Sequence, residues 1–310
     1  MYDAFTHALL FDQLVFDPSF TGGVRVATGD VNGDGIPDLI VAAGPGGGPE
    51  VKVYDGATWQ LIDSFFAYEP SFTGGVYVAV ADLAGSGVSQ IITGTGNGGG
   101  PLVDVYDATG RLRSGFFAYE STFRGGVTVA AGDVQGSGAL DIVTGAGPGG
   151  APRVRAFNSQ TLAVVADYMA FDPTLRTGVY VAAGDLTGAG YASIIAGPGS
   201  YSVPTFNIRD SATGVLTSVT VSDIGIINGT APSDLADSDA LSGQSGVSEF
   251  DGGLRVSVVD ANPQGTMKNI LVARGPGFIS RIHEYSLDPS PTEVSNLVVL
   301  DGYTGGVYVG

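Results

Sequence analysis

The sequence predicts an all-β protein, a β-propeller of four-stranded antiparallel blades, and two observations carry this prediction. First, a phrase of the type FDPSFTGGVRV recurs along the whole chain. Its second glycine stands at Gly23, Gly75, Gly126, Gly178, Gly253 and Gly306, so the spacings are 52, 51, 52, 75 and 53 residues. Second, each unit contains four short runs rich in Val, Ile, Phe and Tyr, which Gly, Asp and Pro separate. Four short strands in a unit of about 50 residues are typical of a propeller blade.

The first unit shows the expected strands most clearly. They are Val24–Thr28, Leu39–Ala43, Val51–Tyr54 and Leu61–Tyr68. No window of the chain has an apolar period of 3.6 residues, so we expect almost no helix.

We treat residues 1–310 as one propeller domain with repeats at about 23–74, 75–125, 126–177, 178–252 and 253–305. Residues 1–22 resemble the end of a unit and residues 306–310 the start of one. Two alternatives follow: six blades, of which one is split between the termini and incomplete, or five blades with trailing strands. A third alternative is that the chain is a piece cut from a longer repeat array. An acidic insert at 224–248, with Asp234, Asp237 and Asp239, is interpreted as a solvated loop, with a further cation site or a contact loop as the alternative.

Composition excludes several classes of partner. The formal net charge is −18 and only 13 residues are basic, which is unsuited to nucleic acid or to an anionic membrane surface. Of the 31 acidic residues, 25 are Asp, a turn residue and an oxygen ligand for hard cations. The chain has no Cys, no apolar run long enough to insert into a membrane and no signal peptide. We therefore expect either a protein that is not exported or a mature or excised fragment.

One loop in the first unit has the spacing of a calcium site. Asp30, Asn32, Asp34 and Asp38 occupy positions 1, 3, 5 and 9, and glycine at position 6 permits the sharp bend. The backbone carbonyl of Ile36 adds a ligand. An EF-hand needs flanking helices and Glu at position 12, where this chain has a strand residue. We predict a Ca²⁺ site in a β-hairpin, between the first two strands of the blade.

A second calcium site is a weaker prediction. The corresponding loop of the third unit offers Asp133, Gln135, Ser137 and Asp141, and a metal-free turn is its equal alternative. The loops that begin at Asp82, Asp185 and Asp260 keep too few carboxylates, and Lys268 stands where the last ligand of the fifth loop would be. For these three we predict turns without metal.

The run GGVRVATGDVNGDGIPDLIVAAGPG, which begins at Gly22, closely resembles the FG-GAP repeat of integrin α-chains and bacterial VCBS-type proteins. It has Gly-Gly where that repeat has Phe-Gly and Ala-Gly-Pro where it has Gly-Ala-Pro. The resemblance implies a propeller, Ca²⁺ in hairpin loops held by Asp30, Asn32, Asp34 and Asp38, and an extracellular or cell-surface location. Members of this family serve in adhesion, in lectin-like glycan binding or as accessory domains.

Strand alternation places the calcium hairpins and the turns between third and fourth strands on one face. The Gly-rich loops and the FDPSFTGG-like loops then share the other, which we predict to bind a protein or glycan ligand. Candidate residues on this Gly-rich face are Glu69, Arg124 and Arg176. The two G-x-G-x-x-G runs, at Gly94–Gly99 and Gly145–Gly150, lead to strands rather than helices and are not nucleotide sites.

Aromatic residues near the ends of the fourth strands come in pairs. Phe65 and Phe66 precede Tyr68, and Phe116 and Phe117 precede Tyr119. Since adjacent strand residues point to opposite faces, we expect one ring of each pair in the core. We expect Trp59, in a polar turn, to be exposed.

No catalytic residue is predicted. The histidines His7 and His283 are interpreted as surface residues, and no nucleophile elbow or HExxH motif occurs. The sequence therefore favours a non-catalytic calcium-binding adhesion or recognition module, with glycans as one ligand class. The alternatives are a structural or accessory domain of a larger protein and, last, a carboxylate-based polysaccharide enzyme.

Overall fold

The computed structural model describes residues 10–199, 205–221, 254–260, 268–274, 280–286 and 291–300. Twenty strands cover about half of this part of the chain, and it contains no helix. The first blade comprises β1 (Val24–Gly29), β2 (Asp38–Ala43), β3 (Glu50–Tyr54) and β4 (Leu61–Phe66). The second comprises β5 (Val76–Ala81), β6 (Gln90–Thr95), β7 (Leu102–Tyr106) and β8 (Leu112–Phe117). The third comprises β9 (Val127–Gly132), β10 (Asp141–Ala146), β11 (Arg153–Asn158) and β12 (Val164–Met169). The fourth comprises β13 (Val179–Gly184), β14 (Ser193–Pro198), β15 (Thr205–Arg209) and β16 (Leu216–Thr220). The fifth comprises β17 (Leu254–Asp260), β18 (Lys268–Arg274), β19 (Ser280–Ser286) and β20 (Thr292–Leu300).

Each blade is a four-stranded antiparallel sheet in which consecutive strands are hydrogen-bonded neighbours. The first strand of each blade packs against the first strand of the next, from β1 through β5, β9 and β13 to β17. These five strands are the inner strands of a propeller, and the predicted all-β architecture of four-stranded blades is confirmed, with five blades described.

The core lies between neighbouring blades rather than within one sheet. Every residue of β2, β10 and β14 is buried. Both faces of β10 and β14 pack against neighbouring blades, and β2 packs between the second blade and residues 10–22. One apolar cluster joins Val51 and Val53 of the first blade to Ile91 and Tyr106 of the second. Similar clusters join the second blade to the third, the third to the fourth and the fourth to the fifth. The outer strands β4 and β8 are largely exposed.

The recurring second glycine marks a tight junction between blades. Gly75 has φ +80°, a conformation that glycine adopts at no steric cost. A Cβ there would lie 2.7 Å from the Gly44 carbonyl carbon of the first blade. Gly126 repeats this arrangement one blade later, with φ +77° and the Gly96 carbonyl oxygen 2.4 Å from the Cβ position. At Gly75 and Gly126, the glycine that reveals the repeat in the sequence is therefore required by the packing of one blade on the next.

Residues 10–22 pack on the free side of the first blade. Phe11, Val15 and Phe16 lie against a cluster that includes Tyr54. Lys52 Nζ donates a hydrogen bond to the Val15 carbonyl oxygen (2.7 Å), just as Arg155 of the third blade donates to the carbonyl oxygen of Ala118. This segment thus takes the place that the end of a preceding blade takes elsewhere, although residues 10–22 form no strand.

The predicted strand positions agree with the structure to within two residues. The strand predicted to end at Tyr68 ends at Phe66, because Pro49, whose carbonyl oxygen accepts the Ala67 N–H, has no N–H to donate in return. The acidic insert at 224–248, with Asp234, Asp237 and Asp239, and the terminal residues 306–310 lie outside the described residues. In the part of the chain that is described, no helix is long and apolar enough to cross a membrane.

Candidate metal centre and ligand-binding face

The loop between β1 and β2 brings the predicted calcium ligands of the first blade together. Gly33 and Gly35 both have φ +85°, which folds Asp30–Asp38 into a tight bend. Asp30 organises this bend, because its Oδ1 accepts the Gly33 N–H (2.6 Å) and its Oδ2 the Gly35 N–H (2.8 Å).

Asp38 anchors the other end of the loop from within the blade. Its side chain is fully buried. Oδ2 accepts the Val31 N–H (2.9 Å), and Oδ1 accepts the N–H of Gly56 (2.9 Å) in the turn between β3 and β4. That last bond places the hairpin loop and the β3–β4 turn on one face of the blade, as strand alternation predicts.

Three carboxylates converge on the side-chain amide of Asn32. Asn32 Nδ2 lies 3.2 Å from Asp38 Oδ1 and 3.5 Å from Asp34 Oδ2. It also lies 3.3 Å from Oδ2 of Asp55, at the start of the β3–β4 turn. Carboxylate oxygens gathered around one point are the ligand type that Ca²⁺ prefers.

Asp55 is a residue that motif spacing could not identify, because it stands 17 positions after Asp38. Its Oδ1 accepts the N–H of Thr58 (2.7 Å) and the Thr58 hydroxyl, and these bonds lower the pKa of the carboxyl. Its Oδ2 faces Asn32. Only strand pairing brings it to the hairpin loop.

The donor types of this loop fit Ca²⁺, although several oxygens are engaged with N–H groups. Asn32 Oδ1 accepts the Asp34 N–H (2.9 Å), and Asp34 Oδ1 accepts the Ile36 N–H (2.8 Å). Among the described residues, no group of three or more His, Cys, Asp or Glu side chains is arranged at metal-ligand distances. A bound ion would therefore replace the Asn32 amide as the partner of the converging carboxylates.

The corresponding loop of the third blade, Asp133–Asp141, has a different set of hydrogen bonds. Gln135 Nε2 donates to Asp141 Oδ1 (2.9 Å), and the Val134 N–H donates to Asp141 Oδ2 (3.0 Å). Burial raises the pKa of Asp141, which disfavours its charged form. Asp133 Oδ1 accepts the Ser137 N–H, and Asp133 Oδ2 accepts the Gly138 N–H. At the position of Asp55 this blade has the neutral Asn158.

The loops predicted to be metal-free keep only the first aspartate. Asp82 accepts the N–H groups of Ser86 (3.0 Å) and Gly87 (2.6 Å), and Asp185 accepts that of Gly190 (2.7 Å). Hydrogen bonds from Ser86 lower the pKa of Asp82. Most of the loop that follows Asp260 lies outside the described residues.

The opposite face carries the Gly-rich loops, as predicted. The Gly46 N–H bonds to the Thr73 carbonyl oxygen (2.8 Å), and the Gly98 N–H bonds to that of Arg124 (2.9 Å). An open groove of about 440 Å³ lies between the first two blades, lined by Pro45, Ser71, Phe72, Thr73, Gly74, Asn97 and Gly98.

Glu69, Arg124 and Arg176, the predicted ligand residues of this face, are exposed. The two arginines donate hydrogen bonds within their own turns. The Arg124 guanidinium donates to the carbonyl oxygens of Ser121 (2.6 Å) and Phe123 (2.8 Å). Arg176 donates in the same way to Pro173 and Leu175 (2.7 Å each). Glu69 contributes its carbonyl oxygen to the Phe72 N–H.

The aromatic pairs divide between core and surface, as predicted. Phe65 packs on Tyr106 with ring centroids 5.0 Å apart, and Phe116 packs on Phe157 at 4.8 Å. Phe66 and Phe117 are 53% and 55% exposed. Each exposed ring lies beside a Gly-rich loop, since a Cβ on Gly48 would lie 3.3 Å from Phe66 and one on Gly100 3.5 Å from Phe117.

Two expectations about single residues are wrong. His283 is completely buried rather than at the surface, because β19 is an interior strand, and its Nδ1 lies 3.0 Å from Glu293 Oε1 on β20. Trp59 is half-buried rather than exposed, because the N-terminal segment covers it, and its ring lies 5.4 Å from that of Phe11. His7 lies outside the described residues.

Comparison with known proteins supports the repeat of the first blade. Residues 22–59, which contain the hairpin loop and the β3–β4 turn, match the FG-GAP repeat family model. No curated protein sequence matches the chain. Similar solved structures include the exotype rhamnogalacturonan lyase YesX, with 13% identity, TM-score 0.45, and coverage of 87% of this chain and 56% of that one. The rhamnogalacturonan lyase YesW has 12% identity, TM-score 0.44, and coverage of 92% and 65%. The Dos1 propeller has 10% identity, TM-score 0.47, and coverage of 89% and 60%. The chain thus spans less than two thirds of the length of these structures.

Proposed function

We propose that this FG-GAP β-propeller protein is a non-catalytic recognition module whose first blade binds Ca²⁺ and whose Gly-rich face binds carbohydrate. The observation that carries the calcium part is the convergence of Asp34, Asp38 and Asp55 on one amide. We further propose an extracellular or cell-surface location, where free Ca²⁺ is abundant and calcium sites commonly have dissociation constants of about 10⁻⁴–10⁻³ M.

The ion would be held by side-chain oxygens of Asp30, Asn32, Asp34, Asp38 and Asp55, with the Ile36 carbonyl as a backbone ligand. Bound Ca²⁺ supplies the positive charge that offsets the repulsion among four clustered carboxylates in a chain of net charge −18. The hairpin and the β3–β4 turn would then be fixed to each other, which stabilises the first blade.

Asp55 offers a sharp test, because the second blade contains a matched residue. Asp55 and Asp107 both cap a β3–β4-type turn, and an Asn side chain retains the capping oxygen. The hairpin loop beside Asp107 has Ala84 and Gln90 where the first blade has Asn32 and Asp38. Only Asp55→Asn should therefore weaken Ca²⁺ binding, by about tenfold or more for the loss of one charged ligand.

The measurement is the melting temperature of the wild type, D55N and D107N as CaCl₂ is added, with MgCl₂ as the control ion. We expect saturable stabilisation of the wild type and of D107N at millimolar Ca²⁺, with the D55N curve displaced to higher concentration. A wild-type melting temperature that does not respond to Ca²⁺ or EDTA would rule out the calcium site. Equal displacement of D55N and D107N would remove Asp55 from it.

The third-blade loop is proposed as a weaker second site, with Asp133, Gln135, Ser137 and Asp141 as ligands. It has two carboxylates and lacks a charged residue at the position of Asp55. Calorimetric titration should show one site of higher affinity that D55N weakens, and any second site should be lost in Asp133→Asn.

The carbohydrate part rests on the exposed rings of Phe66 and Phe117. Aromatic rings stack on the apolar faces of sugars, and the glycine beside each ring has no side chain that would cover it. The groove of about 440 Å³ between the first two blades provides concave surface near the first of these rings.

Phe117 and Leu112 form a matched pair for the test. They lie at opposite ends of β8 and are 55% and 53% exposed, so their replacement by Ala removes similar exposed surface. On a glycan array, and by calorimetry with the best ligand, F117A should lose binding and L112A should retain it. If the wild-type protein bound no glycan on the array, the result would favour a structural or accessory domain. Release of reducing ends from a polysaccharide would instead show an enzyme.

A further inference from the structure

The last strand of each described blade is an edge strand, because it stands at one end of its four-stranded sheet. In the described part of the chain, no further strand pairs with any of these outer strands. Such an edge presents a row of unpaired N–H and C=O groups, which can pair with a strand of another molecule. Folded proteins prevent this pairing with charged side chains and β-bulges on their edges. The five outer strands differ in these two features.

Four of the five outer strands carry both features. Each contains a charged residue, namely Asp63 on β4, Arg113 on β8, Asp167 on β12 and Glu293 on β20. The register between each of these strands and its neighbour in the sheet also shifts at least once. A register shift bends and twists the edge, so these four strands are poor templates for a further strand.

β16, the outer strand of the fourth blade, has neither feature. It pairs with β15 in unbroken register along its whole length. Its sequence, Leu-Thr-Ser-Val-Thr, belongs to an uncharged run over residues 211–222, and its β-branched residues favour a strand. Four of its five residues are exposed, among them Leu216 at 43%. β16 is therefore a regular, uncharged and exposed edge.

The hydrogen-bond alternation of β16 indicates which backbone groups face outward. In the turn before β16, the Asp210 N–H donates to the Val215 carbonyl oxygen (2.9 Å). Opposite residues of an antiparallel pair alternate between hydrogen-bonded and non-hydrogen-bonded pairs. The odd-numbered residues of β16 therefore direct their backbone groups to β15, and Leu216, Ser218 and Thr220 direct theirs to the free edge.

We propose that β16 is a self-association site, at which two copies of this chain pair their fourth blades edge to edge as antiparallel strands. The absence of charge favours a second copy as the partner, because a two-fold axis brings identical strands together. On the other four outer strands such pairing would bring like charges near each other. On β16 it brings none, and with Ser218 on the axis Leu216 lies opposite Thr220 of the other copy, and Thr217 opposite Val219.

The charge of the whole chain determines how this dimer should respond to salt. At a net charge of −18 two copies repel each other, and added salt screens the repulsion. The five residues of β16 are also far fewer than the roughly 20–30 residues that each partner contributes to a stable interface. We therefore expect a reversible dimer that becomes stronger as the salt concentration rises, whereas an association driven by opposite charges would become weaker.

Sedimentation velocity of the full chain measures this association, over a series of protein concentrations at about 0.05 M and about 0.5 M NaCl with Ca²⁺ held constant. Ser218→Lys places two like charges at the axis and should weaken self-association about tenfold or more. Ser114→Lys is the matched control, because Ser114 is the exposed third residue of β8, as Ser218 is of β16. It adds the same charge to the chain and should leave the association unchanged.

A mixture of S218K and S218E tests the antiparallel pairing itself. Opposite charges then meet at the axis, so the mixture should associate more strongly than either variant alone. The melting temperature of each variant shows that it is folded. A wild-type mass that does not rise with protein concentration at either salt concentration would overturn the proposal and leave the edge to a strand of a different protein. Equal association of S218K and S114K, or no recovery in the mixture of folded variants, would also overturn it. The outcome is independent of the calcium and glycan tests, because none of their substitutions lies on β16.

Discussion

Replacement of Asp104 by Asn is expected to stabilise the protein at neutral and alkaline pH. Asp104 lies on β7 and is 8% exposed. Its carboxylate lies against Gly115 of the outer strand, where a Cβ would come within 2.1 Å of Oδ1. Burial raises the pKa of this carboxyl to about 6, although the Tyr106 hydroxyl (3.4 Å) partly stabilises its charged form.

The other blades show why a charge is unfavourable here. Lys52, Arg155 and Asn207 occupy the equivalent position, and each donates to a backbone carbonyl oxygen at the end of the preceding repeat. In the second blade Tyr106 takes over this role, because its hydroxyl donates to the Ala67 carbonyl oxygen. An ionised Asp104 has no proton to donate, whereas Asn has the donor that Asn207 uses.

The magnitude follows from the pKa. A rise from 3.8 to about 6 means that the folded state binds its proton more tightly than the unfolded chain. The corresponding stability is fully present below pH 3.8 and is lost as the pH rises through about 6. About two pKa units at 1.36 kcal/mol each give an upper limit of about 3 kcal/mol at pH 8. Allowing for relaxation of the site, we expect D104N to gain about 1–2 kcal/mol, or a few °C in melting temperature.

The assay is thermal unfolding of the wild type, D104N and the control D63N at pH 8 and at pH 5, with Ca²⁺ held constant. Asp63 is a half-buried acid on the outer strand β4, so D63N removes a charge without relieving a buried one. The advantage of D104N should be clear at pH 8 and should shrink at pH 5, where wild-type Asp104 is largely protonated. An advantage that is absent at pH 8, or equal at both pH values, would refute the reasoning.

Three further predictions concern stability. Phe206→Ala should lower the free energy of unfolding by about 3–5 kcal/mol in chemical denaturation, because this fully buried ring packs on Tyr285 between the fourth and fifth blades; a loss below 1 kcal/mol would show that the contact is not formed. Asp167→Asn should lower the free energy of unfolding by no more than about 1 kcal/mol, because the bidentate ion pair of Asp167 with Arg153 is about one-third exposed. The loss should be smaller at 1 M NaCl, and a loss that does not depend on salt would contradict the prediction. Gly126→Ala should destabilise far more than Gly138→Ala, because both glycines have positive φ but only the first is crowded by another blade, and equal melting temperatures of the two variants would contradict it.

The sequence predicts the local features of this fold and misses those that depend on contact between distant segments. The Gly-Asp-Pro punctuation places the strands, because the conformations that turns require are properties of single residues such as Gly33 and Gly35. Trp59 and His283 could not be placed in this way. Trp59 is covered by Phe11, which belongs to another repeat unit, and the burial of His283 depends on packing around β19.

The cavity on the propeller axis, which is lined by Arg25, Tyr77, Thr128, Tyr180 and Arg255, was missed although its signal is present in the repeat. The position that follows the first apolar residue of each inner strand reads Arg, Tyr, Thr, Tyr and Arg, while the residues on either side are nearly constant. At this position each blade contributes its own side chain to the cavity on the propeller axis. Comparison of the units for their differences, rather than their similarities, would have pointed to Arg25 and Arg255 before the structure.

The first aspartate of each hairpin loop separates two roles that the motif combines. Asp30, Asp82, Asp133 and Asp185 all accept backbone N–H groups of their own loops, whether or not further carboxylates are nearby. This position is therefore required by the turn itself, and its presence in four blades is not evidence for four ions. Oδ2 of Asp34 and Oδ2 of Asp55 instead face Asn32 and accept no backbone N–H group of the loop. The first blade alone, among the described loops, has carboxylates at both positions, which is why the calcium proposal rests on that blade.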